Sequence, residues 1–193
     1  RIAYWTSGGL LYAGEFPAMS VVVCVFGSGR VGPESPTYYD AVRLGSLLGG
    51  AGFGVATGGY RGIMEAVLRG AASYPVRRVG VVTMDFGSRQ ANPFVDEVVV
   101  AQSYLERLQK LIELGAAYVA FPGGTGTLLE LFALWALRER DLLPDRPIVC
   151  VGRPWVGVFE GLTAALPELT PARTIVRVAL TPEEAFLYLQ QAL

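Results

Sequence analysis

Residues 121–130 read FPGGTGTLLE, and this decapeptide decides the fold. An apolar run of Ala117, Tyr118, Val119, Ala120 and Phe121 stops at Pro122, and a turn through Gly123, Gly124 and Gly126 leads straight into a helical pattern. A short apolar run bounded by turn signals reads as a strand buried on both faces. Strand, tight turn and helix N-terminus in one piece are the unit from which parallel sheets are assembled. The turn exposes backbone N–H groups and the helix dipole adds partial positive charge, so an anion such as phosphate is favoured there. Glu130 falls one turn into that helix, beside the same place. A carboxylate repels phosphate, so its fitting partner is the sugar or leaving group that the phosphate carries.

Strands and helices alternate on either side of this unit. The patterning predicts strands at 21–26, 53–56, 79–82, 97–101, 118–121, 147–151 and 174–178, and helices at 36–48, 62–72, 103–114, 126–140, 154–166 and 182–193. Such alternation implies a single α/β domain, a Rossmann-like doubly wound parallel sheet with helices on both faces and right-handed crossovers. Ligands of such sheets bind outside the carboxyl ends of the strands. Three predicted strands end in glycine turns, at Gly27, Ser28 and Gly29, at Gly58 and Gly59, and at Gly123 and Gly124, so these loops are expected to converge on one site. Residues 85–96, with Gly87, Asn92 and Pro93, are expected to form a loop over or beside it.

In the 103–114 helix, Leu105, Leu108, Leu111 and Ile112 are expected on the buried face, with Glu106, Arg107, Lys110 and Glu113 turned away from it. Ser103 with Glu106 three residues later reads as a capping box. Residues 1–18 show no clear periodicity and no signal-peptide pattern. They are read as an N-terminal extension or an arm that packs on a neighbour, ahead of a nucleotide-binding domain over 19–193.

Composition removes several chemistries. A chain of 193 residues suits one domain. Its hydrophobic fraction of 52% is high, yet no apolar stretch reaches about 18 residues without Gly, Pro or a charge, so no membrane span is expected. A net charge of −1 without a basic tract argues against nucleic-acid or membrane-surface binding. Cys24 and Cys150 lie in apolar runs and are expected as buried thiols of a reduced, cytoplasmic protein. The chain has no histidine, which excludes Ser-His-Asp and Cys-His catalysis and the usual zinc sites, so no metal is expected. Lys110 is the single lysine, so no Walker loop exists. A pyridoxal-phosphate Schiff base would have to form on Lys110 without any supporting signature, and no cofactor is expected.

Gly27, Gly29 and Gly32 do spell G-x-G-x-x-G after the first strand, as in a dinucleotide site. Pro33 and Pro36 interrupt the place where its helix should already run. Ala56 and Thr57, at the end of the second strand, offer no acid to a ribose hydroxyl. The glycines then serve either a phosphate or simply a tight turn.

Over residues 21–152 the chain resembles the LONELY GUY proteins, which are often mislabelled lysine decarboxylases. The resemblance rests first on P-G-G-x-G-T-x-x-E, present as Pro122, Gly123, Gly124, Thr125, Gly126, Thr127, Leu128, Leu129 and Glu130. It rests also on G-G-x-x-G-x-M at Gly58, Gly59, Tyr60, Arg61, Gly62, Ile63 and Met64, on Arg107 in the preceding helix, and on the Gly27-Ser28 turn. It implies hydrolysis of the N-glycosidic bond of a nucleoside 5′-monophosphate, such as AMP or a modified, cytokinin-like AMP, to free base and ribose 5-phosphate. It also implies Arg107 and Glu130 as the catalytic pair. Gly27, Ser28, Gly123, Gly124, Thr125, Gly126 and Thr127 are then expected around the phosphate, and Gly58, Gly59, Gly62 and Met64 along the nucleoside. A homodimer or higher oligomer is implied too, with Phe132, Trp135 and Leu137 as an expected contact surface. The chemistry is coherent, because positive charge develops on the ribosyl ring during cleavage and one carboxylate can both stabilise it and align water.

The chain departs from the family pattern where Leu129 replaces the first acid of a common pair, and where Tyr104 and Leu108 stand for a methionine and a lysine. Lys110, about 300° further round the helix from Arg107, is read as no substitute for that lysine. Related proteins of the same fold bind nucleotide-like ligands such as molybdenum cofactor without hydrolysing them, so a non-catalytic carrier is the alternative.

Overall fold

The computed structural model describes residues 2–6, 9–11, 21–87, 90–169 and 172–193, with side chains described from residue 21 onward apart from 172 and 173. Strand β3, Val22–Phe26, is buried at every position, as its unbroken apolar run requires. The helices α1 (Pro36–Gly50), α2 (Ile63–Ala71) and α7 (Pro182–Ala192) cover one face of it. There Val23 and Val25 pack with Leu44, Leu48, Val67 and Leu189. On the other face lie α3 (Tyr104–Leu114), α4 (Thr125–Glu139) and α5 (Pro154–Ala165). Val22, Cys24 and Phe26 point there, toward Leu111, Leu131, Leu134, Trp135 and Phe159. The period of two along a strand thus feeds two cores from one sequence run.

The remaining strands are β1 (Ile2–Thr6), β2 (Gly9–Leu11), β4 (Gly54–Thr57), β5 (Arg78–Thr83), β6 (Glu97–Ala101), β7 (Ala117–Ala120), β8 (Ile148–Val151) and β9 (Val176–Ala179). The sheet order is β2-β1-β6-β5-β4-β3-β7-β8-β9. All neighbours pair in parallel except β2, which runs antiparallel to β1. The chain steps from β3 to β6 in one direction and then crosses back through α3 to β7, on the far side of β3. The strand order therefore reverses between β3 and β7, and that switch point is where doubly wound sheets open a crevice for a ligand.

Residues 2–6 and 9–11 form two strands, and Ile2 and Ala3 pair in register with Val98 and Val99 at the edge of the chain's own sheet. Three expectations are corrected. Thr174 and Ile175 belong to a short helix, α6 (Ala172–Ile175), and the strand starts at Val176, where pairing with Ile148 begins. In α3 the buried residues are Arg107, Lys110 and Leu111, while Leu105 is 68% exposed, so two cations face inward and one leucine faces out. An offset of 300° is also 60° the other way, and residues three apart share a helix face. Lys110 thus lies on the same side as Arg107, its Nζ 3.1 Å from Oε1 of Glu106. Finally, Trp135 is no free contact surface: it is buried between Phe132 and Phe159, and its Nε1 donates to Glu139 at 2.7 Å.

Candidate active site

Three loops meet at the carboxyl ends of β3, β4 and β7. The N–H of Ser28 donates to the carbonyl of Pro122 at 3.3 Å, which ties the loop after β3 to the loop after β7. The N–H of Ile63 donates to the carbonyl of Ser28 at 3.0 Å, which ties in the start of α2. Gly62 makes this possible: at φ 71° it occupies a left-handed conformation, and a Cβ there would overlap the Ser28 carbonyl. Asn92, buried, fastens the loop between β4 and α2 by donating from Nδ2 to the carbonyls of Gly59 and Tyr60, at 3.1 and 2.8 Å. The 85–96 segment, so far as it is described, therefore braces the site from beside it.

Arg107 stands where these loops meet. Pairing of β4 with β5 ends at Thr57 and Gly80, and one residue further the carbonyl of Val81 accepts from Arg107 Nε at 2.7 Å. The guanidinium lies 5.7 Å from the ring centre of Tyr60 and 5.8 Å from that of Tyr104, near enough for cation–π attraction. Its Nη2 is 3.9 Å from Met64 Sδ and its Nη1 is 3.6 Å from Oε1 of Glu130. That last separation is an ion pair rather than a hydrogen bond. The carboxylate feels the positive charge yet keeps its lone pairs for another donor. Glu130 is 8% exposed, and burial pushes its carboxyl up to about 7, with Arg107 pulling the other way. A buried acid tuned to neutrality beside a fixed cation is a recurrent mark of catalytic sites.

The helix turn next to Glu130 is open. No side chain caps the first turn of α4, as in α1, α2 and α5, whereas Ser103 and Thr181 cap α3 and α7. Nothing lies within 4 Å of where a Cβ of Gly124 would be, and Gly123, Gly124 and Thr125 are exposed. The orphan N–H groups of that turn are the ones that bind anions. Thr127 is different: its side chain is buried and folded under Gly123, where a Cβ would overlap its Oγ1. It contributes its backbone to the turn and packs its hydroxyl beneath the loop.

The structure thus brings Gly27, Ser28, Gly58, Gly59, Gly62, Met64, Arg107 and Glu130 together with residues 123–127. Tyr60 falls within the 59–64 stretch expected along the nucleoside and Asn92 within the loop expected beside the site, whereas sequence reasoning gave no role to the Phe86 or Tyr104 rings. Tyr60 and Tyr104 each pack at a tilt against Phe86 with ring centres 5.6 Å apart, forming an aromatic wall next to Arg107. No spacing signals this wall, because its members come from three different loops and helix starts.

Gly58 offers a clean test of Arg107's placement. A Cβ on Gly58 would overlap Nη2 of Arg107 and lie 2.8 Å from Met64 Sδ. Gly58→Ala should therefore displace the guanidinium and cut turnover roughly 100-fold, as misplacement by about 1 Å does in preorganised sites. The thermal midpoint should fall by only a few degrees. Turnover within a factor of three of the parent would show that the guanidinium position is unimportant.

The family model described as possible lysine decarboxylase matches residues 64–186. The chain is 33% identical over 153 residues to the cytokinin riboside 5′-monophosphate phosphoribohydrolase of Mycobacterium marinum, covering 76% of this chain and 80% of that one. It is 36% identical over 138 residues to the protein of the same name from Mycobacterium tuberculosis, covering 68% and 72%. Among solved structures, the molybdenum cofactor binding protein of Rippkaea orientalis superposes with a TM-score of 0.71 over 91% of this chain and 98% of that one, at 21% identity. That last likeness is one of fold.

Proposed function

The chain belongs to the family described as possible lysine decarboxylases, the LONELY GUY family, and on that premise we propose that it hydrolyses the N-glycosidic bond of a nucleoside 5′-monophosphate, with Arg107 and Glu130 as its catalytic pair. The observation that carries this reading is the position of the Glu130 carboxyl: buried, 3.6 Å from a fixed guanidinium, and one turn from the uncapped start of α4. The 5′-phosphate sits on the N–H groups of residues 124–127 and on Ser28. This presents the anomeric carbon to Glu130. As the C–N bond breaks, its electron pair leaves with the base and positive charge spreads over the ring, next to the carboxylate. Glu130 accepts a proton from water, whose oxygen bonds to the anomeric carbon, and the base takes up a proton as it departs. Arg107 supplies charge that opposes the effect of burial, so that Glu130 ionises as pH rises through about 7.

Decarboxylation of lysine fits poorly. Lys110 is buried on α3 with its Nζ 3.1 Å from Glu106, which leaves little access for a substrate to form a Schiff base there. We further infer a cytoplasmic protein that forms at least a homodimer, which light scattering of the purified chain checks directly. No described helix is long and apolar enough to cross a membrane.

The decisive test incubates the protein with a panel of nucleoside 5′-monophosphates and follows base release by chromatography. Free base and ribose 5-phosphate in equal amounts are expected from at least one member. Tight binding of a phosphorylated pterin or nucleotide, with no base released from any, would replace the hydrolase reading with that of a carrier.

A further inference from the structure

Tyr104 is the site residue for which neither the family pattern nor the proposed pair gives a role. Its backbone is fixed twice over, by the Ser103 cap of α3 and by its own N–H, which donates to Asp85 Oδ2 at 2.6 Å. Its ring is clamped between Phe86 and the Arg107 guanidinium. The hydroxyl then reaches across to α4: a Cβ built on Gly126 would lie 2.9 Å from it and would meet no other atom within 4 Å. Gly126 is the second residue of α4, in the turn whose N–H groups lack a cap. One rigid phenol therefore spans the distance between the catalytic pair and the anion-binding turn. A hydroxyl held beside that turn adds a donor that can rotate toward an anion bound there.

We propose that the Tyr104 hydroxyl donates a hydrogen bond to a phosphoryl oxygen of the nucleoside monophosphate, making Tyr104 a substrate-binding residue selective for the phosphorylated form. This rests on the reading of the site given above.

Tyr104→Phe removes the donor and keeps the ring between Phe86 and Arg107. Calorimetric titration with ribose 5-phosphate should show the dissociation constant rising roughly tenfold, the usual loss for a hydrogen bond to a charged group. KM for base release should rise by the same factor with kcat within about threefold, because the ring and the catalytic pair stay in place. Gly126→Ala should weaken ribose 5-phosphate binding by pushing the phenol aside, and adding it to Tyr104→Phe should cost less than it does alone. Unchanged ribose 5-phosphate affinity in Tyr104→Phe overturns the proposal. Should the parent protein bind ribose 5-phosphate yet release no base from any monophosphate, the hydrolase reading fails and the affinity ratio still decides the role of Tyr104. A parent protein that binds no ribose 5-phosphate overturns both.

Discussion

Replacing Glu130 with glutamine should lower base release by about 1,000-fold, the combined scale of losing a general base and a charge opposite the developing cation. Ribose 5-phosphate binding should stay within about threefold, because the proposed phosphate contacts are residues 124–127, Ser28 and Tyr104 rather than Glu130. The same substitution should make the protein more stable at neutral pH and above. Glu130 is held at about 7 in the fold against an ordinary value of 4.5, because burial penalises its charge. Below about pH 4.5 the group is neutral in both folded and unfolded chains and costs nothing. Between 4.5 and 7 the unfolded chain ionises first, so stability falls as pH rises through that window, and above 7 the deficit is constant. A shift of this size corresponds to about 3 kcal/mol. Glutamine does not ionise, so the stability difference between Glu130→Gln and the parent should grow in favour of glutamine by about that amount from pH 4.5 to 8. Denaturant midpoints at the two pH values measure it. The parent's kcat/KM should rise with pH through about 7, since the carboxylate is the working form. Glu130→Gln turning over within tenfold of the parent would remove Glu130 from the chemistry.

Much of the fold could be read from the chain because strand burial and helix starts leave local signatures. The apolar run ending at Phe26, the glycine turns after β3, β4 and β7, and the Ser103 cap all depend on neighbours a few residues away. What escaped reading was set by tertiary contacts. The 103–114 helix shows leucines at one spacing and charges at another, and the usual rule turns the charges to water. Arg107 breaks the rule because partners wait inside, the Val81 carbonyl and Glu130, while Lys110 is buried with its Nζ 3.1 Å from the partly exposed Glu106 of the same helix. Such conflicts between local pattern and global fold gather at functional sites. Trp135 was misjudged for the opposite reason. An aromatic residue on a long amphipathic helix suits an intersubunit face equally well, and its burial against Phe159 from α5 is a contact the local pattern does not announce. The convergence of three glycine loops was expected from topology, whereas Tyr60, Phe86 and Tyr104 join only once α3 and the turn after β5 are placed.

Arg107 carries two properties, charge and shape, and two substitutions should separate them. Arg107→Met removes both. Without the guanidinium the burial effect on Glu130 is unopposed, so its carboxyl should titrate above its present value of about 7 and the rising limb of kcat/KM should move to higher pH. Turnover at pH 7 should fall by 100-fold to 1,000-fold, part of it recovered at pH 8.5 as Glu130 ionises. Stability should go on declining to higher pH than in the parent, because the unfolded chain still ionises near 4.5 while the buried acid resists for longer. At pH 6, where the carboxyl is neutral, the variant should remain folded and bind ribose 5-phosphate. Arg107→Lys keeps a positive charge but loses the fork that donates to Val81 with Nε while Nη1 faces Glu130. Its rising limb should stay near 7 while kcat falls at every pH. If methionine and lysine instead give the same pH profile as the parent, Arg107 does not tune Glu130, and the 3.6 Å pair is only a structural contact.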